Sequence, residues 1–227
     1  MRVLDRDETI LPPRDVDIAA LEENEFQSIG GVSWVGDNDN EKIFGTSWMD
    51  NLFGGKGDDT LYGMEGSDYI VGGNGVDAIF GASGDDVIMT SYGTNSIPAM
   101  IGDGDFASGG SGNDMIYGAQ FAERLFGGEG HDYVKGEGGD DYITGDAGDD
   151  ELQGNAGNDT IFGGSGDDEV LGGGDNDRLY GGDGNDDVRG SAGDDDIYGG
   201  DGDDLIKGGG GNDDIWAGAG NDFVLGQ

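Results

Sequence analysis

Gly154 to Leu171 read GNAGNDTIF GGSGDDEVL, two runs of nine residues that align column by column. In both runs the first and fourth residues are glycine, the sixth is aspartate and the eighth is a branched aliphatic. Six turn-forming residues followed by three with a single apolar residue at their centre read as a tight turn and a very short strand. A fixed internal period is the signature of a stacked architecture, and this register extends in both directions. It runs from Gly109 to Leu225 as thirteen units and from Gly36 to Met89 as six more. Position one is Gly in eighteen of these nineteen units and position four in fifteen, as a turn that needs positive φ demands. Position six is acidic throughout, and position eight is Ile, Leu or Val without exception, so the columns divide into a turn, an acid and a core.

Two units make one coil. The strands then fall into two facing parallel sheets, with position eight inward and positions seven and nine outward. The expected fold is all-β, a right-handed parallel β-roll with 18 residues per coil, in which each coil leans only on its neighbours. Composition says what else it needs. The 227 residues include 52 glycines and only 33% apolar residues, too little for an ordinary core, and a formal charge of -40 pushes the chain apart. That charge excludes nucleic acid and anionic lipid as partners, and no stretch is apolar enough to span a bilayer. A polyvalent cation is the missing partner. With no cysteine, disulfides and thiolate-bound metals are ruled out.

The column pattern resembles the RTX (repeats-in-toxin) nonapeptide GGxGxDxUx. Fourteen units match it at positions one, four, six and eight. The resemblance implies calcium held between turns two units apart by the position-six carboxylate and by backbone carbonyls. Calcium takes six to eight hard oxygen ligands, which such turns supply, whereas magnesium demands a tighter octahedron. The side-chain ligands expected on this basis are Asp50, Asp59, Asp68, Asp77, Asp86, Asp114, Asp132, Asp141, Asp150, Asp159, Asp168, Asp177, Asp186, Asp195, Asp204, Asp213 and Asp222. The carbonyl ligands expected are those of Gly55, Gly57, Gly73, Gly75, Gly110, Gly112, Gly128, Gly130, Gly164, Gly166, Gly182, Gly184, Gly200 and Gly202. Turns with a same-edge neighbour allow up to about fifteen ions. Weaker sites are expected in the units starting at Gly36, Gly45 and Gly118, where Asp39, Trp48 and Phe121 replace the position-four glycine. Binding and folding would be one event, absent in a low-calcium cytoplasm and triggered after export, for which the family uses type I secretion.

Two segments depart from the repeat. Residues 1–35 carry Pro12 and Pro13, then Ile18, Ala19, Ala20, Leu21 and Phe26, which is compatible with a short helix, an end cap or an arm. Residues 90–108 interrupt the roll, and GTNSIPAMI, Gly93 to Ile101, reads as a decayed unit with Pro98 at position six. Position nine is aromatic on alternate units both before the interruption (Phe44, Tyr62, Phe80) and after it (Phe126, Phe162, Tyr180, Tyr198, Trp216), with Thr144 as the gap. The two stripes share a face only if the interruption adds an odd number of half-coils. The expectation is one, from Gly93 to Ile101, with Gly102 to Ser108 looped out.

Nothing points to catalysis. The one histidine, His131, sits at position five among Asn and Asp and reads as a turn residue, and neither a GxSxG nor a GxxxxGK[ST] motif occurs. The expectation is a non-enzymatic, secreted or cell-surface structural protein that forms homo-oligomers through its roll ends or its aromatic face. Its final unit, closing at Leu225, would leave an edge able to template another subunit. The alternative is the secretion and folding module of a larger toxin or hydrolase, such as a protease, lipase or epimerase.

Overall fold

The computed structural model describes residues 31–90 and 104–226. Among these residues all regular structure is strand, eleven strands in one sheet and ten in a second, and the chain alternates between the two. Neighbours within a sheet are parallel and one coil apart, as in Leu152↔Val170 and Ile161↔Leu179, an offset of 18 residues. The architecture is the expected parallel β-roll. Most strands run six residues rather than three, because positions one to three of the next unit continue the ladder before the turn, as in Thr160–Ser165.

The core is one column deep. From Ile43 to Ile206 the position-eight side chains are fully buried between the sheets, while Ile215, near the far end, is only partly covered. One aliphatic residue per nine cannot offset the ordering of a glycine-rich chain on its own, so cohesion must come from the turns as well.

The roll starts one strand earlier than the repeat register suggests. Ser33–Val35 pairs with Asn51–Phe53, and Trp34 stands opposite Leu52 in the position-eight place. A bulky indole over the first coil covers core that an aliphatic would leave open. The helix, cap or arm expected before it lies outside the described residues.

The interruption is also built differently from expectation. Phe106–Ser111 is a strand of the second sheet, lying between Ala78–Ser83 and Arg124–Glu129, with Ala107 in the core place between Ile79 and Leu125. Phe106, Ala107 and Ser108 are therefore strand, which corrects the reading of Gly102 to Ser108 as a loop. Thr90 fills the position-one place of this half-coil, accepting from Gly73 N–H and donating to the Tyr117 carbonyl. The coil offset accordingly rises from 18 to 28 residues between Asp77 and Asp105. The decayed unit Gly93 to Ile101 lies outside the described residues.

This half-coil aligns the aromatic stripes. Phe44, Tyr62 and Phe80 stack with centroids 4.9 Å apart and planes within 8°. Phe162, Tyr180, Tyr198 and Trp216 do the same at 4.5–4.7 Å. Between the two stacks, Ser108 and Thr144 hold position nine, and position seven supplies the ring instead. Phe106 touches Phe80 and Phe126, and Tyr142 touches Phe126 and Phe162, so the ladder is unbroken across all ten strands.

Candidate metal centre

Each coil turns twice, so the position-six acids form two columns, one along each edge of the roll. Burial and hydrogen bonding divide the labour of each carboxylate. On one edge Asp68 Oδ1 accepts from Asp50 N–H at 2.8 Å, Asp86 Oδ1 from Asp68 at 2.8 Å, and Asp114 Oδ1 from Asp86 at 2.6 Å. The pattern continues through Asp132, Asp150, Asp168, Asp186, Asp204 and Asp222. On the other edge Asp59, Asp77, Asp105, Asp141, Asp159, Asp177, Asp195 and Asp213 accept in the same way from the coil before. One oxygen of each acid therefore staples two coils together.

The second oxygen is left over. Among the described residues sixteen position-six carboxylates, Glu41 and fifteen aspartates from Asp59 to Asp213, hold a buried oxygen with no hydrogen-bond partner. Burial of an anionic oxygen without a donor costs several kcal/mol. The acids respond by holding protons more tightly. Burial first, then neighbouring carboxylates, raise Asp77, Asp86, Asp114, Asp141 and Asp168 to about 7, against the N–H bond that lowers them. Asp177 rises to about 8 for the same reasons. A row of orphaned carboxylate oxygens calls for a cation or a proton at every turn.

Backbone oxygens approach as well: a Cβ added at the position-one Gly154 would meet both Asp159 Oδ2 and the Gly172 carbonyl of the next coil. At positions two and four the chain takes positive φ, +129° at Gly182 and +139° at Gly184. A Cβ added at Gly184 would lie 1.9 Å from the Gly166 carbonyl oxygen, and one at Gly182 would lie 2.1 Å from that of Gly164. The carbonyls of one turn thus point along the roll axis into the next. Gly55 and Gly57 face Gly73 and Gly75 in this way, Gly110 and Gly112 face Gly128 and Gly130, and Gly182 and Gly184 face Gly200 and Gly202. Among the described residues no three acidic or imidazole side chains converge, so the available donor set is carboxylate plus carbonyl. Such hard oxygen donors fit calcium and not zinc or copper.

Two of the acids are engaged differently. Asp50 staples the coil before through Oδ1, which accepts from Val32 N–H, but its Oδ2 is taken up within its own turn, accepting from Thr46 N–H. Glu123 folds back into its own turn and accepts from Ala119 and Phe121 N–H. Burial, with Asp141 close by, raises Glu123 to about 9.

Sequence reasoning missed Asp105 because its unit lacks the aliphatic eighth residue, Ala107 standing there instead. It also missed a second ladder at position five. Asp149 Oδ1 accepts from Asp167 N–H, Asp167 from Asn185 and Asn185 from Asp203, each one coil on. His131 belongs to this ladder, its Nδ1 accepting from Asp149 N–H at 2.9 Å. The signal was the run of Asn and Asp in that column, which reads as turn chemistry until the coil offset is known.

The RTX calcium-binding nonapeptide repeat model matches in overlapping stretches at residues 35–68, 44–79, 53–88, 102–120, 117–152, 144–179, 153–188, 163–197 and 189–224. A search of curated proteins returns no match. Repeats of this kind bind calcium and are typical of secreted proteins. With the model covering most of the chain, and with the acid columns and glycine turns where it requires them, the chain belongs to the RTX calcium-binding nonapeptide repeat family.

Proposed function

We propose that this chain is a calcium-hardened structural roll that stays unfolded where calcium is scarce, folds outside the cell and assembles there with copies of itself. The observation that carries the reading is the double row of orphaned carboxylate oxygens. Each lies at the position-one glycine of its own turn, where in most turns the position-one carbonyl of the next coil also approaches, as that of Gly172 does beside Asp159. An ion there would take the free oxygen of the position-six acid together with carbonyls from the turns it joins. It would neutralise neighbouring carboxylates and tie coil to coil where the core is thinnest. The described turns place Asp105 between Asp77 and Glu123, so the columns continue through the interruption.

Within this reading the chain's own residues do three things. The Asp Oδ1 atoms fix the coil spacing through backbone N–H groups, the glycines let carbonyls approach without a Cβ, and the aliphatic column seals the sheets from water. Extracellular modules bind calcium at roughly 10⁻⁴ to 10⁻³ M, well above cytoplasmic levels, so folding would follow export. Calorimetric titration of EGTA-stripped protein, with far-UV circular dichroism on the same samples, tests this directly. The expected result is sheet signal that rises with bound calcium and more than ten ions per chain at saturation. Full sheet signal in EGTA with an unchanged melting curve would sink it.

A further inference from the structure

We infer that the aromatic face of the second sheet is the contact between two copies of this chain, packed antiparallel about a two-fold axis. The inference rests on the structural-roll reading above and names its interface. The ladder is repaired wherever it would break. Ser108 and Thr144 remove the ring from position nine, and on those two strands position seven supplies Phe106 and Tyr142. Strand propensity alone explains neither the substitution nor its placement on the two strands that need it. The ridge is also the face's uncharged part, since position nine of the second sheet carries no charged residue from Phe44 to Trp216. The first sheet's outer face is instead a mosaic of its own ion pairs, such as Arg189 with Glu169 and Asp187.

Ring geometry selects the partner. In the two end stacks the planes are parallel within 8°, so the inner rings have their faces covered by their neighbours, and at one end Lys42 lies over Phe44, 5.2 Å from its centroid. A saccharide needs an exposed ring face, and a row of edges offers none. Ridges of ring edges interdigitate well with another such ridge. Parallel rings also mean that the sheet hardly twists there, so two faces stay aligned over a long contact. Ten strands at about 4.8 Å and six residues at about 3.3 Å give a face of roughly 950 Å², enough for one side of a standard interface. Trp216, at the ladder's end, is 48% exposed, consistent with a ridge that still has surface to bury.

Charge sets the direction. At position seven the first strand of this sheet carries Lys42 and the last carries Asp214. An antiparallel two-fold puts Lys42 opposite Asp214 at both ends and Arg124 opposite Tyr142 near the middle. A two-fold along the roll axis would instead reverse the strands and set position seven against position nine, leaving Lys42 and Asp214 without an opposite charge.

Sedimentation of the full chain in 5 mM calcium, with circular dichroism on the same samples, is the test. A dimer is expected, and Tyr180→Asp should make it monomeric while leaving the calcium-dependent sheet signal intact. Because the chain has no cysteine, Lys42→Cys and Asp214→Cys proteins should form a mixed disulfide when combined and none when oxidised separately. This second arm reads the interface even if Tyr180→Asp fails to fold. A wild-type monomer at tens of micromolar overturns the inference, as does a dimer that survives Tyr180→Asp in the folded state or a Lys42→Cys protein that cross-links to itself. Co-pelleting of monomer with insoluble glucan or with lipid vesicles, abolished by Tyr180→Asp, also overturns it, by giving the ridge a different occupant. Sheet signal indifferent to calcium would defeat the metal reading alone, since sedimentation judges the interface whatever folds the roll.

Discussion

Asp168 shows what a single residue does in this fold. Its Oδ1 accepts from the Asp150 N–H one coil before, and its Oδ2 is buried without a partner. Burial, then the charges of Asp150 and Asp186, raise it from 3.8 to about 7, so the folded chain binds its proton more tightly than the unfolded chain does. Asp77, Asp86, Asp114 and Asp141 share that shift. Proton uptake therefore stabilises the calcium-free roll. That contribution is fully present below about pH 4 and is lost as pH rises through about 7. In EGTA, sheet signal should appear near pH 4.5 and vanish by pH 8, and calcium affinity should climb across pH 6 to 8 as the ion displaces these protons. An EGTA-treated chain that gains no sheet on acidification would contradict the shared role of proton and metal. The acid column itself was legible because every unit repeats it. The split between a stapling oxygen and a free one was not, since it depends on which residue lies one coil away.

At the level of the strand and turn, the coil at the interruption stands apart from the others. Its core place holds Ala107, flanked by the larger Ile79 and Leu125, and the turn one coil on along the same edge holds Glu123. The longer Glu side chain reaches back to its own backbone, so the demand that the aspartates leave open is met inside the turn. Glu123 is raised to about 9 by burial and by Asp141, which keeps it protonated at neutral pH without any cation. Glu123→Gln should leave the number of bound calcium ions unchanged and alter the melting temperature little, whereas Asp168→Asn should lose at least one ion and melt earlier. Equal losses in calorimetric stoichiometry would refute a metal-poor coil. The repeat register located the interruption and its parity but assigned the half-coil to Gly93–Ile101, where GTNSIPAMI reads as a decayed unit beginning on glycine. Packing decided otherwise: a small residue suffices where both neighbours are large, and Asp105 keeps the acid column. Trp34 escaped notice too, being neither aliphatic nor preceded by an acid.

For the whole molecule, the question is whether calcium acts by neutralising charge or by occupying a shaped site. A formal charge of -40 on a roll with a one-residue-deep core makes repulsion one physical basis for the unfolding proposed for the metal-free chain. If repulsion were the whole story, salt alone would restore the fold, because at 0.5 M ionic strength charges more than a few ångströms apart are screened. The orphaned oxygens argue for ligation instead. They are buried, so mobile ions in bulk solvent do not satisfy them, and most lie beside the position-one carbonyl of the next coil. Magnesium has calcium's charge but holds its water shell and requires a tight octahedron, which turns spaced by strand pairing do not form. At pH 7.5 the stripped chain should therefore gain sheet signal cooperatively in 5 mM calcium, while 5 mM magnesium and 0.5 M sodium chloride should each recover only a minor part. Because each coil contacts only its neighbours, the calcium transition should steepen with the number of stacked turns. Equal recovery in sodium chloride would mean that the acid columns are only a charge to be screened, and the match between carboxylate and carbonyl geometry would then carry no function.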